Sequence, residues 1–258
     1  MSPTADFYKA AETCIMQVLM DYKPKMLDNF GNVEFDIKSN AIPVTDLDKE
    51  LEFKLRQALI AFDSTIGLEG EELGKEGNEK TFWLIDPIDG TESFMRGIPF
   101  ARNIVTLIDN GQPVFTLVYK TISDDLFIAS EGKGAYKNGE SISVSNRPLD
   151  RCWVDVSSKK FHYVSEIAEA LSDKINGFKV IGDFTLAVEG KVDAMLMYKA
   201  GGGPWDYAPR ALLFKEAGGR VTNIGSDSYD FRNNDSLMAS PAVFDNIMDI
   251  VVGAKNAN

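Results

Sequence analysis

The chain has 258 residues, with 27 Lys and Arg against 39 Asp and Glu, giving a formal charge of −12. That balance argues against nucleic-acid binding through a basic face, because phosphate backbones would be repelled. An ordinary hydrophobic fraction of 44%, no apolar run of bilayer length, no signal-peptide layout over Met1–Tyr8 and only two cysteines point to a globular cytoplasmic protein without disulfides and without a membrane partner.

Phe7, Ala11, Cys14, Ile15, Val18 and Leu19 recur at helical spacing and predict a helix over Ala5–Asn29, bent or ended at Pro24. Asp36 to Thr45, which contains Lys38, reads as an extended loop. A second helix is predicted over Asp46–Phe62, with Leu47, Leu51, Leu55, Ala58 and Leu59 inward and Thr45 or Asp46 at its capping end. Gly70-Glu71-Glu72, followed by Gly74 and Gly77, reads as a flexible acidic loop. Strands are then expected at Phe82–Ile85, Asn103–Ile108, Val114–Tyr119 and Leu126–Ala129, with hairpin loops over Glu131–Arg147.

From Trp153 the pattern alternates. Strands at Trp153–Val156, Phe178–Ile181 and Val192–Tyr198 are interleaved with helices at Ser165–Lys174, Asp183–Glu189 and Asp206–Ala217. Strands at Arg220–Thr222 and Ser236–Ala239 and a helix at Ala242–Ala254 complete the chain. The class is therefore α/β, with an α+β N-terminal half carrying an antiparallel sheet and an α/β C-terminal half. The seam is expected near Asn146–Asp150, dividing the chain into residues 1–148 and 149–258.

The chemistry concentrates in Trp83-Leu84-Ile85-Asp86-Pro87-Ile88-Asp89-Gly90-Thr91, an apolar strand running into a turn with two carboxylates. Two aspartates three residues apart on such a turn can share one small volume, where like charges would force one to protonate. A divalent cation removes the conflict, and the oxygen donors suit Mg²⁺. The single histidine, His162, is remote from every other candidate and reads as a surface or structural residue. A hydrolase built on this chain would rely on metal-activated water rather than imidazole. Gly201-Gly202-Gly203-Pro204-Trp205-Asp206 ends in an aspartate that, taken alone, reads as a helix N-cap.

Together these pieces resemble the inositol monophosphatase family of Mg²⁺-dependent, lithium-sensitive phosphomonoesterases. The matching residues are Lys38 with Pro43-Val44-Thr45-Asp46, Gly70-Glu71-Glu72, Asp86-Pro87-Ile88-Asp89-Gly90-Thr91, and Trp205-Asp206 with Glu216-Ala217-Gly218-Gly219. The resemblance runs from Lys38 to Gly219 and is poor between Arg147 and Val180. It implies a layered αβαβα sandwich of the sugar-phosphatase type, a homodimer, and two or three Mg²⁺ per site.

Residue by residue, the resemblance implies that Glu71, Asp86 and the Ile88 carbonyl hold a first metal. Asp86, Asp89 and Asp206 would hold a second, and Glu71 with water a looser third. Asp46 and Thr91 would orient and deprotonate the attacking water. Gly90 and Thr91 amides would hold phosphate oxygens, while Glu72 and Lys38 would stand behind the ligands. Gly182, Asp183, Lys199 and Asp206 would border the leaving group. Lys199 stands where members acting on inositol or histidinol phosphates often carry an acid. Two readings stand: a register shift in a glycine-rich stretch, or contact with a second anionic group. The implied function is hydrolysis of an inositol-phosphate-like or histidinol-phosphate-like metabolite. The alternatives are a bisphosphatase acting on fructose 1,6-bisphosphate or 3′-phosphoadenosine 5′-phosphate, or a non-catalytic regulatory member of the fold.

Overall fold

The structure is a computed structural model that describes residues 4–34, 36–37, 43–159 and 161–256. The chain divides into two compact units, Met1–Glu131 and Gly132–Asn258. Both combine helices with a mixed sheet, in keeping with the expected α/β class.

The first unit opens with helix α1 (Ala5–Asn29). Ala11, Ile15, Leu19, Tyr22 and Met26 form its buried stripe, at steps of three and four. The helix covers the whole predicted span and continues through Pro24, where a bend or an end was expected. The inward residues Tyr22 and Met26 on either side of the proline pack into the core, and that burial offsets the lost backbone hydrogen bond. Two short strands, β1 (Asp36–Ile37) and β2 (Pro43–Val44), pair antiparallel before helix α2 (Asp46–Phe62). Leu47, Leu51, Leu55 and Leu59 of α2 join the α1 stripe in one hydrophobic cluster.

Strands β3 (Gly67–Gly70), β4 (Gly74–Glu76), β5 (Thr81–Asp89), β6 (Arg102–Asp109), β7 (Gln112–Lys120) and β8 (Asp125–Ser130) lie in the order β8-β7-β6-β5-β3-β4. Only β3 and β5 pair parallel among these six; the other pairs are antiparallel. Trp83, Ile85, Val105, Leu107, Phe115 and Leu117 pack with α1 and α2. The segment expected to be a flexible loop around Gly70–Gly77 is instead the β3–β4 hairpin. A short helix α3 (Thr91–Met95) follows β5.

The second unit starts with the hairpin of β9 (Gly134–Lys137) and β10 (Glu140–Ile142). Then follow β11 (Trp153–Ser157), α4 (Phe161–Ser172), β12 (Gly177–Lys179), α5 (Thr185–Val188), β13 (Ala194–Met197), α6 (Pro204–Glu216), β14 (Arg220–Asn223), β15 (Ser236–Ala239) and α7 (Phe244–Asn256). Its five-stranded sheet has the order β12-β11-β13-β15-β14, parallel from β12 to β13 and antiparallel beyond. Val154, Val156, Ala194, Leu196, Leu237 and Ala239 form a core with Ile167 and Leu171 of α4 and Ile247 and Val251 of α7. Among the described residues no helix is long and apolar enough to cross a membrane.

Candidate active site

In the first unit the site is built on the end of β5. Trp83, Leu84 and Ile85 are fully buried, and β5 is flanked by β3 and β6, so the strand is a fixed platform. Its register against β6 shifts between Asp86 and Asp89, and such a bulge re-aims side chains at a strand end. Asp86 is 2% and Asp89 9% exposed, and each offers a carboxylate oxygen within 4.8 Å of the other.

Two residues of β6 brace this turn, and neither was singled out from the sequence. Asn103, fully buried, donates from Nδ2 to the Pro87 carbonyl at 2.6 Å and accepts from Thr121 Oγ1 at 2.6 Å. Arg102 Nε donates to Asp89 Oδ2 at 2.5 Å, an ion pair in which both side chains are nearly enclosed.

The strand ends at Gly90, whose φ of +85 is a left-handed conformation that glycine adopts without strain. Thr91 then starts α3. Its hydroxyl lies 3.0 Å from Asp48 Oδ1 and 2.9 Å from the Ile88 carbonyl, two acceptors for one proton.

The carboxylate on Thr91 is therefore Asp48, and the expected pairing with Asp46 is corrected. The cause lies in the start of α2. Thr45 is the N-cap, and its backbone amide donates to Asp48 Oδ2 at 2.8 Å while its hydroxyl lies 2.5 Å from the same oxygen. This capping box turns the third helical residue back across the helix end. Asp48 is 1% exposed, whereas Asp46, the first helical residue, is exposed.

Glu71 and Glu72 sit half-buried in the β3–β4 turn. The Glu71 amide donates to the Ile85 carbonyl at 3.1 Å, which ties the turn to β5 just before Asp86. The turn is also held from α2. The fully buried Glu52 accepts from the Glu72 amide at 2.8 Å and the Leu73 amide at 3.2 Å, and pairs with Arg56 Nε at 2.8 Å. A Cβ on Gly70 would fall 1.9 Å from Glu52 Oε1, so the glycine is what admits this carboxylate. The Asp86 and Asp89 carboxylates offer oxygen donors side by side, a chemistry that fits a hard cation such as Mg²⁺.

In the second unit Asp206 is the third residue of α6, not its N-cap as expected; the helix begins two residues earlier at Pro204. Gly203 caps it and donates from its amide to Asp206 Oδ2 at 2.7 Å. Arg210 Nη2 pairs with Asp206 Oδ1 at 3.3 Å, and its guanidinium lies over the Phe184 and Tyr207 rings. Pro209 consequently falls beyond the first turn, while Pro204 takes the helix-start position that suits proline.

Gly182, at φ +71, donates from its amide to Asp155 Oδ2 at 3.2 Å. Asp155 also accepts from Ile181, and burial holds its carboxyl above the usual range despite these two amides. Asp183 is buried, and its Oδ1 accepts from the amide and the hydroxyl of Thr185, fixing the start of α5. Lys199 is exposed and left-handed at φ +47; its amide donates to Asp235 at 2.7 Å and its ammonium lies over the Tyr198 ring. Lys38 lies outside the described residues, as does the side chain of His162 in α4.

The sequence profile of the inositol monophosphatase family matches residues 1–253. The chain is 30% identical to an inositol monophosphatase of Dictyostelium discoideum, over 94% of its own length and 95% of that protein's. It is 28% identical to a fructose-1,6-bisphosphatase/inositol-1-monophosphatase of Aquifex aeolicus, covering 86% of this chain and 88% of that one. Among solved structures, an IMPase/NADP phosphatase complexed with Mg²⁺ and phosphate superposes with a TM-score of 0.80 at 20% identity, covering 96% and 95% of the two chains. The chain belongs to the inositol monophosphatase family of phosphomonoester hydrolases.

Proposed function

We propose that this protein hydrolyses a small phosphorylated metabolite with Mg²⁺ as cofactor, and that Asp48 and Thr91 handle the proton of the attacking water. The observation that carries the reading is the Thr91 hydroxyl, held between Asp48 and the Ile88 carbonyl beside two buried aspartates.

Glu71, Asp86, the Ile88 carbonyl, Asp89 and Asp206 would hold the cations. Bound Mg²⁺ supplies a lowered water pKa and charge compensation for the phosphate. With its own proton directed at Asp48, Thr91 presents oxygen lone pairs that accept a hydrogen bond from water. A proton leaving that water passes to Thr91 as the Thr91 proton passes to Asp48. The relay needs neither histidine nor cysteine. The Gly90 and Thr91 amides lie at the start of α3, where backbone donors lack helical partners, and would hold phosphate oxygens. Glu72 stands behind Glu71, held through its amide by Glu52.

Inositol phosphate or histidinol phosphate is the leading substrate class. A specific observation favours a second reading, a bisphosphate. Lys199 carries an exposed cation on a backbone conformation that costs energy for a non-glycine residue, and such strain often marks a working position. The similarity to a bifunctional fructose-1,6-bisphosphatase/inositol-1-monophosphatase supports keeping both. Gly182 and Asp206 remain proposed borders of the substrate, whereas Asp183 contributes by setting the α5 start. A homodimer, cytoplasmic residence and inhibition by lithium complete the proposal.

The test is phosphate release from a panel of monophosphates and bisphosphates with Mg²⁺, with EDTA, and with added Li⁺. Release that requires Mg²⁺ and falls with Li⁺ supports the reading. Metal binding without hydrolysis of any panel member would favour a non-catalytic member of the fold.

A further inference from the structure

Asp89 differs from an ordinary cation ligand in one respect: it already has a cation. Arg102 Nε sits 2.5 Å from Asp89 Oδ2, and the two residues are direct partners in the β5–β6 register. The arginine is 4% exposed, so water neither screens the pair nor competes for it. A guanidinium keeps its charge at every accessible pH. The neighbouring Asp86 and Asp89 carboxylates therefore do not wait for a metal to offset their repulsion.

The second unit repeats the pattern independently. Asp206 Oδ1 is paired with Arg210 Nη2 at 3.3 Å, with the arginine side chain 12% exposed. In both places an enclosed arginine is fixed on an aspartate assigned to the second cation.

We propose that Arg102 is a built-in cation for Asp89, one that competes with the second divalent ion for this carboxylate. This rests on the metal-dependent reading above. A divalent ion drawing on Asp89 must share or displace the guanidinium, so binding there is weak. The turn keeps its form without metal because the Asp89 charge is already offset by Arg102. Arg102 thus sets how many divalent ions the protein holds at a given concentration. It acts through Asp89 and is a positioning residue.

The experiment is calorimetric titration of the metal-stripped protein with Mg²⁺, alongside its melting temperature with and without Mg²⁺. Wild type is compared with Arg102→Gln, which keeps a hydrogen-bond donor and removes the charge, and with Arg102→Lys, which keeps the charge. The Gln variant is expected to bind the weaker class of Mg²⁺ at least tenfold more tightly. It should melt lower without metal and gain more on adding Mg²⁺. The Lys variant should behave as wild type. If the Gln variant cannot be purified folded, the proposal is carried by Arg102→Met co-purified with Mg²⁺, which must lose its fold on EDTA treatment while wild type does not. Unchanged isotherms and unchanged Mg²⁺-induced melting shifts in the Gln variant overturn the proposal. Failure of the metal reading itself looks different: neither wild type nor Asp86→Asn then binds Mg²⁺ at all.

Discussion

The hydroxyl of Thr91 lies 3.0 Å from Oδ1 of Asp48, while Oδ2 of the same carboxylate closes the capping box of α2 through Thr45. One side chain thus fixes a helix start and faces the proposed water-activating hydroxyl. Asp48→Asn should lower turnover by about 10²- to 10⁴-fold, the usual share of a general base. Asp46→Asn, at an exposed first-turn position, should stay within about threefold, because its charge only helps the helix end. Steady-state rates at saturating Mg²⁺ separate the two. Equal losses in both variants would return the proton-accepting role to an open question.

Glu52 supports the site from behind. It is fully enclosed, pairs with Arg56, and receives two amides of the turn that carries Glu71. Glu52→Ala leaves the arginine without that partner and is expected to cost about 3–5 kcal/mol in urea unfolding. Glu52→Gln keeps the shape and should be milder, but should raise the Mg²⁺ concentration for half-maximal activity several-fold. An unchanged Mg²⁺ requirement would mean that the turn is set without Glu52.

Stability should fall in strong base. Burial, with Asp193 adding to it, pushes the Cys152 thiol up to about 12, and burial likewise pushes the Tyr207 hydroxyl up to about 12. In the unfolded chain these groups titrate near 8.5 and 10, roughly. Between the unfolded and folded values the native state holds the extra protons, so unfolding free energy decreases as pH rises. The contribution is fully present below about pH 8 and is lost progressively toward pH 12. Urea midpoints measured from pH 7 to 11 should decline, and less steeply in Cys152→Ala. At pH 8 the native protein should leave Cys152 unalkylated by iodoacetamide, and the unfolded protein should not.

Lys199 offers two separable effects. Lys199→Glu should weaken bisphosphate turnover by tenfold or more while monophosphate turnover changes by less than about threefold, as expected for one exposed charge. Lys199→Gly relieves the left-handed conformation and should stabilise the fold by roughly 0.5–1 kcal/mol. Equal kinetic effects of the glutamate on every substrate would remove the second-anion reading.

Legibility followed the range of the interactions. The β5 turn could be read directly, because apolar strand, proline, glycine and two aspartates are contiguous. Helices α1 and α2 followed from periodicity over their observed spans, and packing of Tyr22 and Met26 holds α1 together through Pro24. The choice between Asp46 and Asp48 was available in the spacing: Thr45 with an acid three residues later is a capping box, and its third helical residue turns inward. The β3–β4 hairpin was hidden because its glycine-rich residues have little strand preference and are held by Glu52, about twenty residues earlier. Arg102 was invisible for a related reason. It meets Asp89 only through the β5–β6 register after a bulge, which no local pattern announces.

The central claim is metal-dependent phosphate transfer to water at the end of β5. Its most direct measurement is phosphate release by wild type and Asp86→Asn across a Mg²⁺ titration, using the best substrate of the panel. The account predicts no release in EDTA, saturable activation by Mg²⁺ in wild type, and a loss of about 10³-fold or more in the variant, of the order that removing a main electrostatic element costs. Release by wild type in excess EDTA, or an Asp86→Asn variant as active as wild type, would contradict it.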